Sequence, residues 1–299
     1  MHVSTSKISA KQKKKLCKSD FASLTVAKEK EATAKQKEKL CKSDFASLTS
    51  TKKKENTMQT IISPIPDPVF SYPFFHNTQK TAFFDIETTG LSPKASSLYL
   101  IGMMYFNQEE EHWELCQWFA DDYQSEPLLL ESFFQKLEQY SYLYHFNGQT
   151  FDIPYILKKC EKHSITPSDH CMQILSDTAS LFSIDLLKKI RPLKKCLGLA
   201  RCNQTSVEKW LGIQREDTFS GGDLIPVYSE YMQKKILNPQ KADSLKELLL
   251  LHNHDDIAMM LNVCSLLLYS DLFDPEKYTD ILFCKRHSDR DLPIPTTFS

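Results

Sequence analysis

The stretch TAFFDIETTG, residues 81–90, sets the strongest constraint on the fold of this chain. TAFFDIE reads as a buried strand and TTGLSP as the turn that ends it. Asp85 and Glu87 nevertheless stand inside the apolar end of that strand. Residues i and i+2 of a strand point to the same face, so the two carboxylates emerge side by side. Adjacent anions repel and lose hydration unless a cation lies between them. A divalent metal is the economical partner, and oxygen-only ligands point to Mg²⁺ or Mn²⁺ rather than Zn²⁺. Two exposed loop acids are the plain alternative; the flanking AFF and TTG weigh against it.

The residues around this strand alternate between strand and helix patterns. LYLIGMMYF (98–106) and HWELCQWFA (112–120) read as the next two strands, and YLYHFN (142–147) as a fourth. EPLLLESFFQKLEQY (126–140), with a proline near its start, and DIPYILKKCEKHS (152–164) read as helices. Residues 171–240 mix short helices and loops, and 241–270 form a long amphipathic helix. This order predicts an α/β fold with a mixed sheet flanked by helices.

Charge divides the chain. Residues 1–57 hold 15 Lys against 6 Asp+Glu, and the remainder carries the acidic excess that brings the whole to −1. Within that basic tail, AKQKKKLCKSDFASLT (10–25) returns as AKQKEKLCKSDFASLT (34–49), Lys14 being replaced by Glu38. Two copies are too few for a solenoid, and sparse apolar residues predict disorder over 1–57. Residues 58–80, with Pro64, Pro66, Pro68 and Pro73, read as a stiff linker. The domain proper is expected over 81–273, with a C-terminal extension over 274–299. Nine cysteines without a CxxC pair suit free thiols in a reducing compartment, and the N-terminus has no apolar signal core, so a cytoplasmic protein is expected.

Two further acids sit where strands and helices meet a common edge. Asp152 follows the strand pattern YLYHFN at the start of a helix, where a simple N-cap is the ordinary role. In LLLLHNHDDIAMM, Asp256 and His252 are four apart and share the face that carries Leu248, Leu249, Met259 and Met260. Asp255, about 100° around the helix, is expected to be solvated.

Together these stretches resemble the DEDD family of 3′–5′ exonucleases, which have the ribonuclease-H-like fold. The matching motifs are FFDIETTGL (83–91), HFNGQTFDIPYI (145–156) and HNHDD (252–256). The order DLLKKIRPL (185–193), CNQTSVEKWLG (202–212) and REDTFSGGDLIPVY (215–228) is similar to the bacterial YprB-like branch. The resemblance covers about residues 81–273. It implies a three-layer fold with a mixed five-stranded sheet flanked by helices, and a two-metal centre, two Mg²⁺ or Mn²⁺, held by Asp85, Glu87, Asp152 and Asp256. His252 occupies the slot that a tyrosine fills in one subclass, and it would orient or deprotonate the attacking water. Thr88, Thr89, Gly90 and Leu91 would touch the terminal nucleotide, although a tight turn explains them as well; Asn147 would contact nucleic acid or brace the site. The expected substrate is a 3′ end of single-stranded DNA or RNA. The competing expectation is a nucleic-acid-binding module that keeps the fold and has little catalysis. Four intact acids weigh against it, since a pure binder gains nothing from clustered anions.

Overall fold

The computed structural model describes residues 57–66, 78–195, 197–215, 219–264 and 266–267. The expected disorder of the repeat-bearing tail and the extension at 274–299 lie outside the described residues, as do residues 67–77. Among the described residues, no helix is long and apolar enough to cross a membrane.

The sheet has six strands. In chain order they are β1 (Met58–Ile65), β2 (Thr81–Thr88), β3 (Leu98–Asn107), β4 (His112–Ala120), β5 (Tyr142–His145) and β6 (Ser183–Asp185). Their spatial order is β1-β4-β3-β2-β5-β6. The first four pair antiparallel, while β2–β5 and β5–β6 are parallel. The helices are α1 (Glu126–Leu137), α2 (Asp152–His163), α3 (Asp169–Leu175), α4 (Leu186–Ile190), α5 (Gln204–Trp210), α6 (Gly221–Leu237) and α7 (Pro239–Cys264).

Two expectations are corrected here. Among the described residues the sheet has six strands rather than five, and the opening part of the proline-rich linker, Met58–Ile65, forms the additional strand β1. Pro64 sits opposite Glu114 and is tolerated because β1 is an edge strand, where a missing N–H need not break a ladder on the outer side. Residues 171–240 also hold more regular structure than expected. Helix α6 runs for 17 residues with Pro226 inside it, and its start is secured by Ser220, whose N–H and hydroxyl both donate to Asp223.

β2 is the central strand that carries the two cores. Ala82, Phe84 and Ile86 belong to a cluster with Leu129 and Phe133 of α1 and Ile156 of α2. Phe83 belongs to a second cluster with Val207 of α5 and Ile257, Met260 and Leu261 of α7. Period-two alternation puts Asp85 and Glu87 on Phe83's side, toward α7. Helix α7 crosses β2, β3 and β4 and packs along α6 and against α5.

Candidate metal centre

Three separate segments deliver acids to the end of β2. Asp85 and Glu87 come from the strand itself, and the register with β3 slips between Glu87 and Thr88, where the sheet ends and the loop begins. Asp152 arrives on the first turn of α2. The turn before it is built from the backbone. Asn147 takes a left-handed φ of 67°, and its N–H donates to Asp185 Oδ1 at 2.9 Å. Gly148 N–H donates to His145 Nδ1 at 3.0 Å, which fixes that buried imidazole as neutral, with Nε2 turned to Ser183 Oγ at 2.9 Å. Burial holds His145 down at about 4, against the attraction of Asp185. Helix α7 brings His252 and Asp256.

The structure brings Glu87, His252 and Asp256 closest together. His252 Nε2 lies 3.3 Å from Asp256 Oδ2 and 3.7 Å from Glu87 Oε1. One ligand atom from each of the three falls within 4.8 Å of the others, a space that suits a single cation. Asp85 and Asp152 stand beside this group rather than in it, close enough for charge repulsion. Burial first, then repulsion from Asp152, Asp256 and Glu87, raises the Asp85 carboxyl well above the ordinary range; a hydrogen bond from Asn253 opposes the rise. Burial likewise pushes Asp152 up to about 7, against hydrogen bonds from its own N–H and that of Ile86, with Asp185 and Asp256 adding repulsion. The Ile86 contact ties α2 to β2 between its two acids. Asp85 and Asp152, both driven upward, stand with Glu87 and Asp256 as an all-oxygen donor set suited to divalent metal, whose charge would remove the repulsion.

The motifs alone assign no role to some of the residues gathered at the site. Arg215 donates from Nη2 to Glu208 Oε1 at 2.6 Å, and its Nη1 pairs with Asp256 Oδ1. Burial opposes the guanidinium's charge, but Glu208 and Asp256 more than offset it and raise its pKa. Glu208 and Arg215 both stand in stretches quoted above, but they meet across the turn that follows α5, which ends at Trp210, so no helical or strand repeat joins them. Asn253 stands inside HNHDD and Asp185 heads DLLKKIRPL; the motifs assign neither a role at the site, and Asp185 also caps α4.

Asp255 is a correction. It was expected in solvent and is buried, at 3 % exposure, with Oδ1 3.2 Å from His254 Nδ1. The 100° rotation away from Asp256 does not reach water because sheet and helices surround this part of α7, where Ile257, Ala258, Met260 and Leu261 are all buried as well.

The loop after β2 is tightly closed. Thr88 Oγ1 donates to Gly90 O at 3.0 Å, Ser97 N–H donates to Thr89 Oγ1 at 2.8 Å, and Thr89 N–H donates to Ser97 O at 2.9 Å. A Cβ on Gly90 would come within 2.6 Å of Ser96 Oγ, so a larger residue there would turn that hydroxyl aside. Leu91 projects from it, 80 % exposed.

Three of the solved structures that this chain is similar to illustrate the likeness. The family B DNA polymerase of the hyperthermophilic archaeon Pyrobaculum calidifontis is 13% identical, covering 73% of this chain and 28% of its own, with a TM-score of 0.43. The zinc-bound E. coli ExoI–ssDNA complex is 15% identical over 55% of this chain and 42% of its own, at 0.33. E. coli Exonuclease I in complex with a dA16 oligonucleotide is 16% identical over the same shares, also at 0.33. The chain thus spans less than half of each of these proteins. No curated protein matches. A family model described as RNase_H superfamily matches residues 82–268, a span that runs from β2 through α7 and contains all four acids, and the chain belongs to that superfamily.

Proposed function

We propose that this protein is a metal-dependent 3′–5′ exonuclease that hydrolyses phosphodiester bonds of single-stranded DNA or RNA. The observation that carries this reading is the convergence of Asp85, Glu87, Asp152 and Asp256, from β2, α2 and α7, around one buried histidine in a superfamily domain. Two Mg²⁺ or Mn²⁺ ions held by these four side chains would supply an activated water and stabilise the leaving 3′ oxygen. The chain's own groups do the rest. His252, with Nε2 already turned toward Glu87 and Asp256, orients the water or takes its proton, a task suited to a group whose unperturbed pKa is about 6.5. Arg215 holds one oxygen of Asp256 and leaves the other facing His252. The closed loop Thr88–Leu91 offers backbone and an exposed leucine to a terminal nucleotide, and Asn147 braces the turn into Asp152 through its N–H.

The direct test is hydrolysis of 5′-labelled single-stranded DNA and RNA with Mg²⁺ or Mn²⁺. The reading expects a ladder shortening from the 3′ end, loss of the reaction with chelator, and a fall of about 10²- to 10⁴-fold in His252→Ala. Binding of the same oligonucleotides without metal-dependent cleavage would instead support the catalytically weak binding module.

A further inference from the structure

We infer that Asn253 is a positioning residue for Asp85, held by Gln117 and admitted to the sheet by Gly102. The inference rests on the reading of Asp85 as a metal ligand. Asp85, Gly102 and Gln117 form one row across three strands, Asp85 opposite Gly102 on β3 and Gly102 opposite Gln117 on β4. Asn253 of α7 lies over the middle of that row. A Cβ on residue 102 would stand 2.2 Å from Asn253 Oδ1 and 2.4 Å from Ile257 Cδ1, so glycine is the residue that lets the helix approach this closely.

The amide is then oriented by its two neighbours. Gln117 Nε2 donates to Asn253 Oδ1 at 2.9 Å, and also to Leu250 O at 2.9 Å. With its oxygen committed to Gln117, Asn253 turns its Nδ2 toward Asp85, donating to Oδ2 at 3.1 Å. Asn253 and Gln117 are both buried, at 0 % and 3 % exposure, so water does not compete for these bonds. Only one oxygen of Asp85 is taken up by this contact. The carboxylate plane is thereby set among three other acids that would otherwise push it aside, and its second oxygen stays available to a cation. Partners of this kind, standing behind a ligand, change metal affinity or activity by about 10- to 100-fold when removed.

The test uses the full chain and Mn²⁺. Asn253→Ala is expected to weaken Mn²⁺ binding, measured by calorimetry, by about tenfold and to lower kcat on a labelled oligonucleotide by about 10- to 100-fold, with KM for the oligonucleotide unchanged. Asn253→Leu keeps nearly the same side-chain shape over Gly102 and removes the amide. It should melt closer to the wild type than Asn253→Ala does while leaving Mn²⁺ affinity and kcat impaired. Asn253→Ala with wild-type Mn²⁺ affinity and kcat would overturn the inference, as would an Asn253→Leu variant that regains both, because that outcome leaves Asn253 only a packing role. Asp85→Asn is measured in parallel. If it too binds Mn²⁺ and turns over like the wild type, the metal-ligand reading of Asp85 fails; if it is impaired while Asn253→Ala is not, only the present inference fails.

Discussion

Two groups of buried charge in this domain follow opposite rules. On one side of the loop after β2, Glu126 is 2 % exposed and fully compensated. Leu98 N–H and Lys159 Nζ each reach its Oε1 at 2.7 Å, Lys162 Nζ lies 3.2 Å from Oε2, and His163 Nε2 closes on the same oxygen. Burial alone would raise its pKa, but His163, Leu98 and Lys159 together bring it below the ordinary value. Lys159 is pulled down as well, by burial outweighing Glu126. The carboxylate's direction decides the balance, since four donors converge on it. On the other side, half-buried Asp85 and buried Asp152 are crowded by acids and driven upward. A buried acid that serves structure is supplied with cations by the chain. On the proposed function, an acid that takes up a cation from solution is left in repulsion, and that difference separates the brace from the candidate site.

The largest expected effect sharpens this contrast. Asp85→Asn or Asp152→Asn should cut hydrolysis on the order of 10³-fold or more, the scale of losing a transition-state electrostatic contact. Both should melt higher than the wild type without metal, because repulsion falls. Glu126→Gln should do the reverse, keeping turnover per folded molecule and losing stability. An Asp85→Asn protein with near-wild-type turnover would break the distinction.

Next in size is Lys159→Met. Lys159 is fully buried and also donates to Ser96 O, so it fastens the loop that carries Thr89–Leu91 to α1 and α2. Removing one member of a buried pair costs about 3–5 kcal/mol, since the partner's charge is left uncompensated. Urea denaturation should register that loss, and wild-type stability in the variant would show that Lys162 and His163 suffice for Glu126.

A third test reads the same contrast through pH. Asp152 is pushed from 3.8 to about 7, so between those values the folded chain holds a proton that the unfolded chain releases. Its contribution is therefore present at low pH and is lost as pH rises through that window, by up to about 4 kcal/mol in metal-free protein. His145 works the other way: burial depresses it to about 4, so its contribution falls as pH drops from about 6.5. Comparing wild type with Asp152→Asn isolates the carboxylate, and the variant's melting temperature should decline less between pH 4 and pH 7. Saturating Mn²⁺ should flatten the wild-type curve. Parallel curves for the two proteins would remove Asp152 from the repelling group.

Much of this arrangement was legible in the residues because it depends on short-range periodicity. Period two puts Asp85 and Glu87 on one face, and an i, i+4 spacing puts His252 beside Asp256. β1 was not legible, because prolines that break a central strand are harmless at an edge. β6, three residues running straight into α4, is too short to show a period. Arg215 and the Gln117–Asn253 link depend on contacts between residues far apart in the chain, 41 positions for Arg215–Asp256 and 136 for Gln117–Asn253. Local pattern cannot supply those.

The smallest expected effect on hydrolysis belongs to Asp255→Asn, and it separates burial from function on a single helix. Asp255 and Asp256 are adjacent, yet about 100° apart around α7. Asp256 meets His252 and Arg215 and shares the 4.8 Å group with Glu87, whereas Asp255 Oδ1 meets His254. Its burial follows from the packing around α7, and by the contrast drawn above it belongs with Glu126 rather than with Asp85. Asn keeps the acceptor and the shape while removing the charge. Turnover and Mn²⁺ affinity should stay within about twofold of wild type, and stability should fall by about 1–2 kcal/mol, the scale of a weakened buried hydrogen bond. Asp256→Asn, measured beside it, should lose most activity. If the two variants lose turnover equally, both faces of α7 serve the centre, and the assignment of Asp256 as its ligand no longer follows from the geometry of the helix.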